Sequence, residues 1–254
     1  MAVKQSLAGK TAFISGGAKR IGREISRTLS RAGVNLVIHY NESDDEALET
    51  VREAENNNVN AWALKADLTD PNKAVGLLNK ALECAGKLDF LINNASIFPE
   101  SQLASVGLDE LTETLNINAL TPFVLSRTFA KLTKTGVIIN LLDTRIQRFD
   151  LSHSAYQLSK NMLRDLTKMC AIEFAPHIRV NAVAPGLILP PPKKDGGYFE
   201  KLSPRTLLKR HGCAEDIADA VEFLLRAEFV TGEIITVDGG ENLKNMAYGG
   251  DSGI

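Results

Sequence analysis

Residues 11–33 read TAFISGGAKRIGREISRTLSRAG, and this stretch is the strongest indication of the fold. It begins as a short apolar run that is typical of a buried strand, and it then passes through Gly16 and Gly17. The residues that follow place isoleucine and leucine at helical spacing, and Gly33 is a typical helix stop. A strand, a glycine turn and a helix in this order predict the first unit of an α/β sheet.

The same alternation continues along the chain. Further strand-like runs lie at 34–40, 61–67, 87–96, 136–142, 178–186 and 232–240. Helical patterns lie at 20–33, 43–58, about 71–85, 108–132 and 154–175. Strands that alternate with helices form right-handed βαβ units, and strands that are apolar on both faces need helices on both sides. We therefore predict an α/β fold, a doubly wound seven-stranded parallel sheet in a three-layer αβα domain that spans 1–254.

One segment, about 187–213, breaks this rhythm. Its prolines, paired lysines and paired glycines exclude a simple helix or strand. A long insertion after the carboxyl end of a strand is where such folds place a substrate lid. A disordered surface loop is the alternative.

The sequence also makes two local predictions elsewhere in the chain. Pro122 kinks the helix 108–132, and Ser43 with Glu46 forms a capping box.

The composition excludes several classes of protein. The 254 residues carry a formal net charge of −2, which gives no global field to attract nucleic acid or an anionic membrane. No run of about 18 apolar residues occurs that could span a membrane. Cys84, Cys170 and Cys213 are scattered, so they predict reduced thiols in a cytoplasmic protein with no metal site.

The turn SGGAKRIG, at 15–22, predicts a nucleotide site. Gly16 permits a tight turn, and Gly22 lets the helix lie close to the sheet. The helix N-terminus then offers free N–H groups and a partial positive charge to a pyrophosphate. Lys19 and Arg20 add two cations, which favour a nucleotide with an extra phosphate.

The end of the second strand, HYNES at 39–43, favours NADP(H). No acidic residue stands at 39–41, where a carboxylate would bind the ribose 2′-hydroxyl of NAD and repel a 2′-phosphate. The side chains that could donate to that phosphate are His39, Tyr40, Asn41 and Ser43. The alternative is that the cations of the turn are solvated and Glu42 takes the hydroxyl.

Two later strand ends complete the nucleotide site. Asp67 closes the third strand, where a carboxylate could accept the adenine amino group. The stretch NNAS at 93–96 closes the fourth strand, and its small residues suit close approach of the backbone to a nucleotide. Ordinary turn chemistry at a strand end is the alternative for both.

With these motifs in order, the chain resembles the short-chain dehydrogenase/reductases. The elements that carry the resemblance are SGGAKRIG, NNAS, Asn118, YQLSK at 156–160, PG at 185–186 and VDGG at 237–240. The resemblance implies a Rossmann-type domain, a homotetramer paired through the helices 108–132 and 154–175, and a proton relay of Asn118, Tyr156 and Lys160. It also implies cofactor contacts from the turn and the strand ends, namely Gly16, Lys19, Arg20, Ile21, Asp67, Leu68, Asn94, Ala95, Ser96, Tyr156, Lys160, Pro185 and Gly186.

Three departures from the usual family pattern resemble the pteridine and dihydromonapterin reductases. They are Arg20 in place of a middle glycine, NNAS followed by Phe98, and Asp143 where most of the family has serine. This likeness implies a pterin between the nicotinamide and Phe98. The residues implied to contact it are Arg20, Ser96, Phe98, Asp143, Tyr156 and Leu187. Where those reductases have a serine in the substrate loop, this chain has Ile188.

Tyr156 and Lys160 stand one helical turn apart, on one face. We expect the ammonium to favour the phenolate and so lower the pKa of Tyr156 toward the range of a general acid. Lys160 should also hold the nicotinamide ribose hydroxyls. The alternative is an ordinary surface pair.

Asp143 suits a C=N substrate better than a carbonyl. An ionised aspartate only accepts hydrogen bonds, so it would repel a developing alkoxide. It could instead stabilise a protonated ring or accept from its amino group. Alternatives are that Thr144 supplies the missing hydroxyl, or that Asp143 merely caps the loop or pairs with Arg145 or Arg148.

The sequence therefore predicts an NADPH-dependent reductase of pterins, of dihydropteridine or dihydromonapterin type, with dihydrofolate as a further candidate. Hydride would go to a ring C=N carbon while Tyr156, Asp143 and Lys160 handle the proton. A carbonyl or 3-oxoacyl-thioester reductase is the alternative enzyme. A catalytically idle NADP-binding sensor is the alternative of another class.

Overall fold

The structure is a computed structural model, and it describes residues 6–190 and 197–244. Seven parallel strands form one sheet in the order β3-β2-β1-β4-β5-β6-β7. The strands are β1 (Thr11–Ile14), β2 (Asn35–Tyr40), β3 (Ala61–Lys65), β4 (Phe90–Asn93), β5 (Gly136–Leu141), β6 (Ile178–Pro185) and β7 (Ile234–Val237). This order reverses direction between β1 and β4 and confirms the predicted doubly wound α/β sheet.

Helices cover both faces of the sheet. They are α1 (Arg20–Arg31), α2 (Asp44–Glu55), α3 (Lys73–Ala85), α4 (Leu108–Leu115), α5 (Thr121–Thr133), α6 (Ser154–Phe174), α7 (Gly197–Leu202) and α8 (Ala214–Arg226). Short 3-10 turns cover Thr144–Gln147, Ser203–Arg205 and Glu241–Leu243.

The core divides between the two faces because strand side chains alternate. Ile14 of β1 belongs to the cluster under α1 and α8, whereas its neighbour Phe13 belongs to the cluster under α3 and α5. Both side chains are fully buried. The predicted three-layer αβα domain is therefore confirmed.

The long helix predicted over 108–132 is interrupted. A π-helical turn, Asn116–Leu120, separates α4 from α5, and Pro122 stands in the first turn of α5. Proline has no N–H to donate to the preceding turn, so the regular ladder cannot continue through it. The π-turn carries Asn118 into the interior, where it is fully buried.

Two local details differ from the sequence predictions. Ser43 is the N-cap of α2, but its side chain makes no capping hydrogen bond, so the predicted capping box is wrong. Glu46 instead pairs with Lys19 at 2.8 Å. The helix α8 was not predicted, although its buried residues Ile217, Val221 and Leu224 follow helical spacing.

Part of the predicted insertion forms regular structure. Its described flanks contain α7 and the 3-10 turn Ser203–Arg205. Residues 191–196 of the predicted lid lie outside the described residues. Arg20 reaches this segment and donates from Nη2 to the carbonyl of Pro190 at 2.6 Å, so the glycine turn and the beginning of the insertion are in contact.

The close approach of α1 to the sheet yields a first prediction. A Cβ on Gly22 would lie 2.1 Å from the carbonyl oxygen of Gly16 and 2.6 Å from Nδ2 of Asn94. Because a backbone carbonyl cannot move aside cheaply, we expect Gly22→Ala to lower the free energy of unfolding by about 3 kcal/mol and to weaken nucleotide binding. Urea denaturation and cofactor titration would measure both effects.

Gly76→Ala is the matched control. A Cβ at this position in α3 would meet nothing within 4 Å, so the substitution should raise the free energy of unfolding by about 0.5–1 kcal/mol. Equal effects of the two alanines would contradict the close approach at Gly22.

Candidate active site

A cavity of about 520 Å³ opens beyond the carboxyl ends of β4, β5 and β6, beside the first turn of α1. Predicted site residues that line it are Arg20, Ile21, Asn94, Ser96, Phe98, Asp143, Tyr156, Lys160, Pro185, Gly186 and Leu187. Others lie outside its wall, as far as the structure describes the chain, namely Gly16, Lys19, His39, Tyr40, Asn41, Ser43, Asp67, Leu68, Ala95 and Asn118.

The predicted reactive residues come together at the floor of this cavity. The Tyr156 hydroxyl donates to Oδ2 of Asp143 at 3.0 Å. Lys160 Nζ donates to the carbonyl of Leu141, the last residue of β5, at 2.8 Å. It lies 5.5 Å from the centroid of the Tyr156 ring. Both side chains are buried, so the surface-pair alternative is wrong.

The expected direction of the Tyr156 pKa is wrong. Burial and the Asp143 carboxylate raise the pKa of Tyr156 well above its usual value, and the opposing charge of Arg145 offsets only part of the rise. Burial also lowers the pKa of Lys160 to about 8, against the partial support of Asp143. These effects favour the protonated form of Tyr156, whose hydroxyl donates to Asp143.

Asp143 accepts three hydrogen bonds from other groups of the protein. It is the N-cap of the 3-10 turn Thr144–Gln147. Its Oδ1 accepts from the Arg145 backbone N–H at 2.8 Å, and its Oδ2 accepts from Nη1 of Arg145 at 2.9 Å. Asp143 therefore caps the loop and pairs with Arg145, as two of the alternatives predicted, and it also accepts the hydrogen bond from Tyr156. Arg148 donates elsewhere, to the carbonyl of Glu241.

Thr144 does not replace the missing hydroxyl. The chain leaves β5 into a 3-10 turn, so the residue does line the cavity. Its hydroxyl donates to Oδ2 of Asp238 at 2.7 Å, in a buried hydrogen bond. The proton that a carbonyl substrate would need is therefore already used.

Arg145 links Asp143 to the aromatic wall. Its Nε contacts Oδ2 of Asp150 at 2.9 Å, and its guanidinium lies 4.9 Å from the centroid of Phe98. The Phe98 ring is stacked on His153 at 3.9 Å and meets Tyr156 edge-on at 4.6 Å. The wall is thus a connected set of charges and rings.

The glycine turn adopts a left-handed backbone at two positions, and its role in nucleotide binding stays a prediction. Gly16 has φ +63° and Arg20 has φ +54°, so Arg20 adopts the left-handed conformation that the usual glycine would take. Asn94 Nδ2 donates to the carbonyls of Ser15 and Gly16, at 3.0 Å each. Ala95 N–H donates to the Ser15 hydroxyl. The end of β4 therefore braces the turn.

His39 cannot serve as a phosphate donor. The Gly16 N–H donates to its Nδ1 at 3.1 Å, so the proton is on Nε2, which lies 3.0 Å from the carbonyl of Ala66. Burial lowers the pKa of the ring, which is neutral. The prediction is wrong because both ring nitrogens hold the backbone of neighbouring strand ends.

The other residues beside the end of β2 form exposed pairs. Lys65 contacts Asp44 at 2.8 Å, and the Tyr40 hydroxyl donates to the same carboxylate at 3.3 Å. Exposed ion pairs of this kind contribute little stability and exchange partners easily. Asn41 is exposed and Ser43 is half-buried, so these side chains can turn toward a bound group.

The remaining predicted residues have structural partners. Asp67 accepts from the backbone and hydroxyl of Thr69, which lowers the pKa of its carboxyl group. Leu68 is buried, and its carbonyl accepts from Thr121 at 3.0 Å. Ser96 is exposed at the cavity, where its hydroxyl contacts the carbonyl of Ile97 at 3.4 Å.

Asn118 holds the loop after β4. Its side chain accepts from the N–H of Ile97 and donates to the carbonyl of the same residue, both at 2.9 Å. Its Nδ2 also donates to Ser159 at 3.1 Å. These contacts fix the segment that leads to Phe98, and the relay role of Asn118 stays a prediction.

Four charged or aromatic residues that line the cavity were not predicted as site residues: Arg145, Tyr198, Arg205 and Glu241. Arg145 was weighed only as a partner of Asp143. The other three come from the insertion and from the turn after VDGG, and their positions depend on how those segments fold back. In the described ranges no group of histidine, cysteine or acidic residues could hold a metal.

None of the described helices combines the length and the apolar character that crossing a membrane requires.

The fold and the cavity together define a dinucleotide-dependent oxidoreductase of the Rossmann type. A family model described as Enoyl-(Acyl carrier protein) reductase matches residues 16–242. The chain belongs to the short-chain dehydrogenase/reductase family.

Several solved and curated proteins are similar to the chain. FolM alternative dihydrofolate reductase 1 from Brucella canis, complexed with NADP, has a TM-score of 0.90 at 28% identity and covers 98% of this chain and 99% of its own. A short-chain dehydrogenase from Burkholderia cenocepacia, in complex with NADP, has a TM-score of 0.88 at 31% identity, covering 94% and 100%. L-rhamnose 1-dehydrogenase (NADP(+)) from Thermoplasma acidophilum is 31% identical, covering 91% and 96%.

The lowered pKa of Lys160 yields a second prediction. Between about pH 8 and 10.4 the unfolded chain holds this proton and the folded protein has lost it. Stability should therefore rise with pH relative to Lys160→Met, with a slope approaching about 1.4 kcal/mol per pH unit. Urea denaturation at several pH values, without added cofactor, would measure the difference.

Lys168→Met removes an exposed ammonium from the same helix and controls for the change in net charge. A wild-type minus Lys160→Met difference that stays flat from pH 7.5 to 10 would contradict the assignment.

Proposed function

We propose that the protein is an NADPH-dependent reductase of pterins, of dihydropteridine or dihydromonapterin type, which also accepts dihydrofolate. The observation that carries this proposal is the Asp143 carboxylate, which accepts the Tyr156 hydroxyl at 3.0 Å inside the cavity. Most of the family offers a serine hydroxyl there. A carboxylate suits a substrate that gains positive charge on nitrogen and disfavours one that becomes an alkoxide.

The cofactor is NADP(H), and the residues present fit it. The first turn of α1 leaves N–H groups without intrahelical partners beside a turn that has no room for a Cβ at Gly22. Lys19 and Lys65 lie next to the end of β2 in exposed ion pairs. Each could release its carboxylate to bind a 2′-phosphate. When bound, the reduced nicotinamide supplies the hydride.

Lys160 is suited to hold the nicotinamide ribose. Its ammonium has three N–H donors, and one of them is used by the carbonyl of Leu141. The other two are available on a buried side chain that lines the cavity. Its positive charge, 5.5 Å from the centroid of the Tyr156 ring, also stabilises the phenolate when it forms.

Tyr156 is the proton donor in this proposal. Because its pKa is raised by burial and by Asp143, it keeps its proton until a ring nitrogen of the substrate lies against its hydroxyl. The proton that now lies toward Asp143 then passes to the C=N nitrogen, which becomes cationic beside the Asp143 carboxylate as the phenolate forms. Transfer of hydride to the C=N carbon then gives a secondary amine. Arg145 contacts Asp143 at 2.9 Å.

Stacking of a pterin on Phe98 requires a rearrangement. The ring already contacts His153 at 3.9 Å and Arg145 at 4.9 Å. One of these groups must leave its face of the ring for the substrate to lie against it. Arg20 and Ser96 line the same cavity, in positions to contact the pterin or the cofactor phosphates.

A carbonyl or 3-oxoacyl-thioester reductase is the second candidate, because a curated relative from Streptomyces violaceoruber that is 30% identical is described as a putative ketoacyl reductase of granaticin polyketide synthase. The hydroxyl that such a reaction needs is not offered by Thr144, which donates to Asp238. An idle NADP-binding sensor is disfavoured by the buried, paired Tyr156 and Lys160.

A homotetramer in the cytoplasm completes the proposal. One face of α6 exposes apolar side chains that an interface would cover. They are Leu158, Met162, Met169 and Ile172.

A substrate panel tests the function. NADPH and NADH are each mixed with dihydrobiopterin, dihydromonapterin, dihydrofolate and an acetoacetyl thioester, and the loss of cofactor absorbance is followed. We expect turnover of the dihydropterins with NADPH, and kcat/KM at least about tenfold higher than with NADH, since a charge-assisted hydrogen bond contributes about 1.5–3 kcal/mol. Turnover of the thioester alone would overturn the pterin proposal, and a preference for NADH would overturn the cofactor assignment.

Asp143→Ser tests the carboxylate itself. The variant removes the acceptor of Tyr156 and of Arg145, so we expect kcat/KM for dihydropterin to fall about 10²–10⁴-fold. Asp109→Ser, at an exposed position in the first turn of α4, is the control. Full pterin activity in Asp143→Ser would show that the carboxylate has no part in the reaction.

A further inference from the structure

Glu241 is a second carboxylate at the cavity, delivered by the turn that follows β7. Gly239 and Gly240 have φ +61° and +78°, and side chains there would crowd Thr206 and Leu207. The Glu241 N–H donates to the carbonyl of Asp238 at 3.1 Å. The backbone on either side of Glu241 is therefore closely held, and its side chain lines the cavity.

The Glu241 side chain has no hydrogen-bond or ion-pair partner within residues 6–190 and 197–244. Its backbone carbonyl accepts from Arg148, but no side chain of the described ranges lies within bonding distance of its carboxylate. Burial raises the pKa of this group, and the charges of Arg145 and Arg148 counter the rise in part. A half-buried carboxylate without donors favours a ligand that brings them.

Asp143 is less able than Glu241 to accept two further hydrogen bonds from a substrate. Its two oxygens already accept three hydrogen bonds, two from Arg145 and one from Tyr156. The bond from Tyr156 must also change during proton transfer. A carboxylate committed in this way can stabilise charge, but it has little capacity left to accept the donor edge of a substrate.

We propose that Glu241 is the specificity-determining residue that accepts hydrogen bonds from the amino group and neighbouring ring N–H of the substrate. Two adjacent N–H donors match the two oxygens of one carboxylate. This inference rests on the proposed pterin reductase function and deepens it. The ligand class is a heterocycle with an amidine-like edge, and a pteridine whose amino group is replaced by a carbonyl should bind poorly.

The test uses two ligands that differ at this edge. The dissociation constants of pterin (2-amino-4-oxopteridine) and of lumazine, which has a carbonyl in place of the 2-amino group, are measured with the protein saturated with NADP⁺. Variants are Glu241→Gln, which keeps the shape, and Glu241→Asp, which keeps the charge. Glu55→Gln, at the exposed end of α2 and away from the cavity, is the matched control.

We expect wild type and the Glu55→Gln control to prefer pterin over lumazine by at least about tenfold, the loss that follows from one missing charge-assisted bond. Glu241→Gln should reduce the preference to less than about threefold and should raise KM for dihydropterin more than it lowers kcat. Glu241→Asp should lie between. Titration with NADP⁺ should give the wild-type affinity in every variant, which shows that each one is folded.

The outcomes separate the two proposals. If wild type reduces dihydropterin but Glu241→Gln keeps its ligand preference and its KM, the assignment of Glu241 is overturned and the proposed function stands. If Glu241→Gln weakens both ligands equally, a pairing of Glu241 with a cation such as Arg205 replaces the proposal. If wild type neither binds nor reduces any pteridine, both proposals are overturned.

Discussion

The buried carboxylate of Asp238 joins the carboxyl ends of three neighbouring strands. From the end of β7 it accepts from Thr144, which follows β5, at 2.7 Å, and from the N–H groups of Gly240 and Asn242 at 2.8 and 2.9 Å. It also packs so closely on Gly186, after β6, that a Cβ there would lie 2.4 Å from its own. A buried anion is stable only when donors surround it, so these three chain segments must stay together. The reactive wall of the cavity is built on them.

Much of the fold could be predicted because its signals are local. The alternation of strands and helices and the glycine turn at 15–22 are visible in short windows of sequence. The errors arose where a distant partner decides the outcome. Glu46 leaves Ser43 to pair with Lys19 of another helix, and α8 follows an insertion that obscured its helical pattern. The break before Pro122 was expected, but the π-turn that buries Asn118 depends on what the side chain binds.

The predictions about the site succeeded and failed for the same reasons as those about the fold. Asp143, Tyr156 and Lys160 were found together because two of them share a helix face and the third ends an adjacent strand. The pKa of Tyr156 was misjudged, since sequence shows the ammonium nearby but not the burial and the carboxylate that outweigh it. His39 failed for a similar reason, because its two nitrogens are used by Gly16 and Ala66, which the sheet brings beside it.

Charge in the cavity is divided between two carboxylates that play different parts. Arg145 acts on the two carboxylates differently. It forms an ion pair with Asp143 at 2.9 Å, whereas it acts on Glu241 only through its charge. Asp143 is therefore held in one geometry against Tyr156, as proton transfer requires, since a donor must be aligned before the transition state. Glu241 has no such partner in the described part of the chain and can adapt to what enters. In the proposed function, a substrate that is rich in N–H donors and becomes cationic on nitrogen would satisfy both carboxylates at once, whereas the alkoxide formed from a carbonyl would be repelled by Asp143.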